Sequence, residues 1–462
     1  MPLFGELFTR TIIKGLLATI EPGQSLYWRI LTPLVVMWGL VYQRLNRDHT
    51  SDAYVSHLRS GGGDLLDKED SHGAPLSQRL RSDSNAGYTQ GRNRIPLSLL
   101  QEGAQRVAGE AQRIAGAQGR WQGLAVRLLD GTTFTTPPEG DLPERYELVA
   151  NQHRTGHWVK VRAVLACDYF TQAVIGWFEM SFHSSEREMV PAVVAQDLEV
   201  GSLYLGDQNF GIYSVVQAIT YQGHHVLLRL TKSRAQALCK RQKDVTPLQS
   251  GQSSVISWTP SPHDQPFPQW PTDPIVGRLL YVHIAENGFR PTDLYLFTTL
   301  LDDDAFPTLE LVTFYRQRWR VEVHFRHVKQ SLEMDFFPVK SVAIFRKELA
   351  AGLLTYNLIC LLLLQAALRR QLLPLQLSFK QCMRRILTAL TTGVPAWVKE
   401  EGRVAEHLLA QLGACRLPKQ SNKVQHEPRK VRFKPTPYPP LSGDRALARQ
   451  EVLRQLKVDV NS

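Results

Sequence analysis

The segment Leu349–Leu368 (LAAGLLTYNLICLLLLQAAL) constrains the fold more than any other part of this chain. It is long enough to cross a bilayer, which takes roughly 20 apolar residues in a helix. A soluble chain can hide such a helix only at the centre of a large core, where all its faces are covered. Thr355, Tyr356, Asn357 and Gln365 interrupt the stretch, and Arg369-Arg370 close it. Polar side chains are costly in hydrocarbon but find partners inside a protein. The sequence therefore predicts a central core helix rather than a span. Leu34–Tyr42 is also strongly apolar and falls well short of spanning length.

The rest of the chain is consistent with a core of that size. It has 462 residues, 43% hydrophobic and 21% charged, which excludes wholesale disorder and fibrous repeats. Cys167, Cys239, Cys360, Cys382 and Cys415 are widely spaced and form no C-x-x-C pair. Neither a zinc cluster nor a disulfide framework is signalled, and reduced core thiols of a cytoplasmic protein are expected. Met1–Glu21 has no apolar run followed by a small-residue cleavage site, so no signal peptide is expected there. The net charge of +11 points to an acidic partner, nucleic acid or anionic membrane. Residues 416–462 carry 11 Lys/Arg against 4 Asp/Glu, so most of the excess sits in this tail.

Along the chain, residues 1–58 and 95–119 read as helices, with Pro33 as a break and a Gly/Ser/Asp-rich region between them. Strand-like runs follow at Ala125–Asp130, Trp158–Cys167, Gln172–Met180, Leu203–Asp207 and His225–Leu230. Helical segments separate the later ones, which predicts an α/β fold with a mixed sheet. Prolines crowd residues 260–274, and strand-like runs flank them, as in an insertion with a small sheet of its own. Helix dominates from Thr308 to Gln411. The expected units are a helical region 1–120, a first core segment 121–230, a β-rich insertion 231–305, a second core segment 306–415 and the basic tail 416–462.

Thr313–Gln330 (TFYRQRWRVEVHFRHVKQ) carries the chemistry. On a continuous helix Phe314, Val321, Phe325, Val328 and Leu332 share one face. Glu322 and Lys329 differ by about 20° around the axis and Arg318 lies about 40° from Glu322, so an adjacent stripe presents Tyr315, Arg318, Glu322 and Lys329. A solvated face with ordinary i,i+4 pairs is the plain alternative. The spacing Tyr-x2-Arg-x3-Glu-x6-Lys weighs against it, since its chance occurrence in a chain of this length is roughly a few in a thousand.

That spacing resembles the signature of DDE transposases of the insertion-sequence-4 type. Asp130, opening DGTTF, and Asp207, opening DQNFG, resemble the two upstream aspartates of that family. The resemblance spans about residues 85–440 and implies an RNase H-like core with helices, a β-rich insertion before the glutamate helix and an N-terminal helical region that binds DNA ends. It further implies that Asp130, Asp207 and Glu322 are catalytic and hold two Mg²⁺ ions, with Mn²⁺ as a substitute. Hard carboxylate oxygens suit such ions, which can activate a water or a 3′-hydroxyl and stabilise a leaving oxygen. Tyr315, Arg318 and Lys329 would contact DNA. The partners implied are double-stranded DNA, at element ends and target, and a second copy in a homodimer on the DNA. No membrane is expected, and the location is the cytoplasm, at the nucleoid.

The relatives in which hairpins form stack a flipped base on an aromatic of the insertion. Leu294 aligns there, with Tyr295 beside it and Trp258 and Trp270 as other candidates. His324 and His327 are three apart and lack the H-E-x-x-H pattern, so a zinc site is not expected. Asp302-Asp303-Asp304 reads as an N-terminal cap of the next helix. Two rival readings are a catalytically inactive or domesticated DNA-binding descendant and a membrane-associated helical protein.

Overall fold

The structure is a computed structural model that describes residues 2–20, 22, 26, 28–46, 48–64, 66, 74–150, 155–242, 248–261, 264–284, 292–391, 401–418, 444, 446–451 and 454. Residues 1–284 and 292–419 form one compact unit. A second unit comprises residues 285–291 and 420–462, of which residues 444, 446–451 and 454 are described, with 446–451 helical.

The N-terminal region is helical, with α1 at Pro33–Leu45 and α2 at Leu97–Ala115. Pro33 opens α1 instead of breaking it. It occupies the first turn, where its missing N–H is harmless, and Thr32 Oγ1 accepts from Val35 N at 3.4 Å. Every residue of α1 is buried.

Nine strands follow: β1 (Val126–Thr136), β2 (Leu148–Ala150), β3 (Thr155–Asp168), β4 (Val174–Ser181), β5 (Leu203–Gly206), β6 (His225–Leu230), β7 (Gln252–Trp258), β8 (Ile275–Ile284) and β9 (Thr292–Thr298). They form a single mixed sheet in the order β2-β3-β1-β5-β6-β9-β8-β7, with β4 also on β3. β1, β5 and β6 run parallel, β3 runs antiparallel beside β1, and β4 runs antiparallel on β3, which is the RNase H-like arrangement. The insertion does not build a sheet of its own. Its last strand β9 pairs antiparallel with β6, so β7–β9 extend the main sheet.

Alternation along the strands splits the core in two. Leu128, Phe134, Val161, Leu165, Leu205 and Leu227 face the larger helical layer. Leu129, Val164, Ala166, Tyr204, Val226 and Leu228 face α3 (Glu186–Val194) and α4 (Tyr213–Thr220). After β9 the chain forms α5 (Thr308–Tyr315), α6 (Arg320–Arg326) and α7 (Val342–Arg369).

Helix α7 contains the long apolar segment, and 89% of its most apolar stretch is buried inside the protein. It is the core helix the polar interruptions predicted. Asn357 accounts for one of them: its side chain donates to Ala104 O and Val174 O and accepts from Val174 N, at 2.8–3.0 Å. It thereby joins α2, α7 and the start of β4. Glu348, also on α7 and buried, pairs with Arg44 of α1 and with Arg92. The five cysteines are free thiols, four of them buried.

The acidic run has a different task from helix capping. Asp303 pairs with Arg278 of β8, whose buried guanidinium also donates to Phe306 O and Thr308 Oγ1. Asp302 Oδ1 accepts from Asp304 N and Ala305 N, closing the loop on itself. Trp258 is buried against Phe297 and Tyr213, so it is a packing residue. Tyr295 stacks on Tyr281 with ring centroids 4.7 Å apart.

Candidate active site

Asp130 lies in the middle of β1, not at its end. The Asp-Gly pair makes no turn because β3 continues the ladder beside it, from Arg127↔Asp168 through Thr136↔Val159. On its other side β1 pairs with β5 only over Val126↔Leu203 to Leu128↔Leu205. Carried two residues further, that register sets Asp130 beside Asp207, the first residue after β5. The outer half of β1 is thus open toward β5, and the gap is where the candidate residues converge. Asp207 Oδ1 accepts from Asn209 N at 2.8 Å, a turn that fixes its side chain.

Glu322 is on α6, on the helical side of the sheet. The chain leading to it is not one continuous helix. Arg316–Trp319 is a tighter 3-10 turn and His327–Ser331 a wider π turn. These irregular turns break the single stripe expected from uniform helical spacing. Tyr315 is buried, and its hydroxyl donates to Gly206 O at 3.1 Å, next to Asp207. Arg318 is only 6% exposed; its Nη1 is 3.2 Å from Asp130 Oδ2 and its Nη2 is 3.8 Å from Glu322 Oε1. One guanidinium therefore links the first aspartate to the glutamate. Lys329 lies in the π turn and pairs with Asp335 at 3.0 Å.

Electrostatics mark the gap as short of positive charge. Burial pushes the Asp130 carboxyl up to about 6, Arg318 opposes this, and the nearby carboxylates of Asp207 and Glu186 reinforce it. Glu186 is itself raised, by burial first and then by Asp207, with Arg162 opposing. Sequence reasoning missed Glu186. Directly after Ser185, at the start of α3, it reads as an ordinary acidic first-turn residue, and only the fold brings it toward Asp130. His324 is buried with neither ring nitrogen hydrogen-bonded, and burial drives it down to about 3, so it is neutral.

Among the described residues no three His, Cys, Asp or Glu side chains are already gathered as a ligand set. The donors nevertheless fit a hard divalent cation. They are carboxylates, one on β1 and one just after its parallel neighbour β5, and the burial that raises the Asp130 carboxyl, reinforced by Asp207 and Glu186, is a cost that a cation would offset.

An RNase H-like sheet with carboxylates along the open half of its first strand suits metal-assisted phosphodiester chemistry. The sequence comparisons agree. Residues 121–358 match the transposase DDE domain family. The chain is 26% identical over 336 residues to the transposase InsG for insertion sequence element IS4 of Escherichia coli (strain K12), covering 69% of this chain and 70% of that protein. A solved structure, a piggyBac transposase synaptic complex with hairpin DNA, aligns over 91% of this chain and 86% of its own at 12% identity, with a TM-score of 0.39. The chain belongs to the DDE transposases, of the insertion-sequence-4 type, and is a divalent-metal-dependent enzyme that acts on DNA.

Proposed function

We propose that Asp130, Asp207 and Glu322 are the catalytic carboxylates and hold two Mg²⁺ ions, for which Mn²⁺ can substitute. The reaction is strand cleavage at element ends followed by strand transfer into target DNA. The observation that carries this reading is Arg318 bridging Asp130 and Glu322 while Asp207 stands beside Asp130. Bound there, the metal pair would activate the attacking water or 3′-hydroxyl and stabilise the leaving oxygen. Tyr315 braces the backbone next to Asp207, and Arg318 and Lys329 supply positive charge for phosphate. The working complex is a homodimer on DNA in the cytoplasm, at the nucleoid, with no membrane involved.

The test is a set of single alanine variants at Asp130, Asp207 and Glu322. Each should lose nicking of an element-end duplex in Mg²⁺ and keep DNA-end binding near the wild-type level. Near-wild-type nicking by any one of them removes that residue from the site.

A further inference from the structure

The far end of the β1–β3 pair carries a surface that the cleavage chemistry does not use. Registers Thr133↔Arg162 and Thr135↔Lys160 put Arg162, Lys160 and, two residues further, Trp158 on the sheet face opposite Phe134. Thr135 is also bridged to Phe336: Thr135 N donates to Asp335 O at 3.0 Å and Phe337 N donates to Thr135 O at 2.9 Å. Across the sheet the order is therefore Lys160, Thr135, Phe336. Trp158 is 49% exposed and Phe336 41%, and their rings meet edge to face with centroids 5.3 Å apart. On the other flank Lys160 Nζ and the Arg162 guanidinium lie 5.7 and 4.8 Å from the Phe182 ring centroid. Arg162 Nη1 donates to Ser184 O, while its buried Nε has no hydrogen-bond partner. Of the nearby carboxylates, Asp335 pairs with Lys329, and Glu186 faces Arg162 and offsets part of its charge.

We propose that this surface binds unpaired nucleotides of the DNA strand that leaves the cleavage site. Exposed rings gain little from a phosphate backbone but stack on the faces of bases, and in a duplex those faces are hidden. Flanking ammonium and guanidinium groups suit the phosphates between such bases. β1 carries both Asp130 and Thr135, five residues or about 17 Å apart along the strand and on opposite faces of it, and the stretch between them makes no strand pairing on the β5 side, so a DNA strand leaving the site reaches this surface round that open edge. Its placement relative to cleavage rests on Asp130 marking the catalytic centre.

The test compares binding of a single-stranded oligothymidylate and of a blunt duplex of equal length to the full chain without divalent metal, by fluorescence anisotropy. In Trp158→Ala/Phe336→Ala the dissociation constant for the single strand should rise about tenfold or more, and that for the duplex should change less than about twofold. Trp158→Phe/Phe336→Tyr, which keeps both rings, should restore single-strand binding. Equal losses on both probes, or no loss on the single strand, overturn the proposal. So does a dimer that weakens in sedimentation while DNA binding is unchanged, which would give the surface to a second copy. Asp130→Ala should bind the single strand normally. If the catalytic assignment is wrong, Asp130→Ala still cleaves and this binding comparison keeps its meaning.

Discussion

Arg318 Nη1 lies 3.2 Å from Asp130 Oδ2, joining two residues 188 positions apart. It is the nearest positive charge to a carboxyl that burial holds at about 6. Arg318 therefore offsets only part of the cost of an ionised Asp130 in the metal-free protein.

The consequence is a pH dependence of stability. Asp130 takes up a proton near pH 6 when folded and near pH 3.8 when unfolded. Between those values the native state binds the extra proton, so this group's contribution to stability is full below about pH 4 and is lost as pH rises through 6. Two units correspond to about 3 kcal/mol at most. Asp130→Asn should therefore be more stable than wild type at pH 7.5 in EDTA, by about 1 kcal/mol once the lost ion pair is counted, and the gain should vanish near pH 4. Urea unfolding across pH 4–8 checks this. A variant less stable than wild type at pH 7.5 would show that Arg318 fully compensates the charge.

Asn357 supports a second expectation. Replacing it by leucine leaves Ala104 O, Val174 O and Val174 N without their side-chain partner in a buried seam. Each unsatisfied buried group costs about 1–3 kcal/mol, so Asn357→Leu should destabilise by about 2–4 kcal/mol despite its added apolar surface. Gln365→Leu, on a partly exposed part of the same helix, should cost under about 1 kcal/mol. Equal midpoints for the two in chemical denaturation would mean that Asn357 is a tolerated interruption only.

These residues also show how far the sequence could be read. The polar breaks in Leu349–Leu368 pointed to a core helix because a polar group needs a partner somewhere, but those of Asn357, on α2 and β4, are contacts across 253 and 183 positions. The two aspartates were legible as strand-end residues, and Asp207, directly after β5, is one. That β1 runs on past Asp130 was not, because β3 supplies the ladder and Asp-Gly alone reads as a turn. The glutamate helix was legible by its spacing. Its 3-10 and π turns were not, since periodicity arguments assume uniform winding, and so the burial of Tyr315 and Arg318 went unseen. Glu186 had no local signal.

The basic tail supplies a third expectation, although residues 419–443, 445, 452–453 and 455–462 lie outside the described residues. The cut should follow Lys419, because Arg416 bridges Leu377 and Leu417 N donates to Gln376 O. Residues 420–462 hold nine Lys/Arg. If they meet phosphate, each contact contributes about −0.9 to the log–log salt slope of duplex binding. Deletion should flatten that slope by several units and leave preference for element ends intact. An unchanged slope would assign the tail to a partner other than DNA.

The last expectation concerns the two sides of the chain around Glu322. Phe325 is 9% exposed and packs into the core, so Phe325→Ala should cost about 3–5 kcal/mol. Lys329 is different, for its pair with Asp335 is a surface one, with Asp335 70% exposed. Such pairs contribute about 0–1 kcal/mol, so Lys329→Ala should fold nearly as well as wild type. If Lys329 leaves Asp335 for phosphate when DNA is bound, the variant should still lose strand cleavage or transfer, by about tenfold or more for one charged contact. Arg318→Ala should lose both activity and stability, because its guanidinium is buried between Asp130 and Glu322. Thermal unfolding and single-turnover cleavage on one set of preparations separate the three. Full cleavage by Lys329→Ala at saturating Mg²⁺ would leave Lys329 as no more than the partner of Asp335.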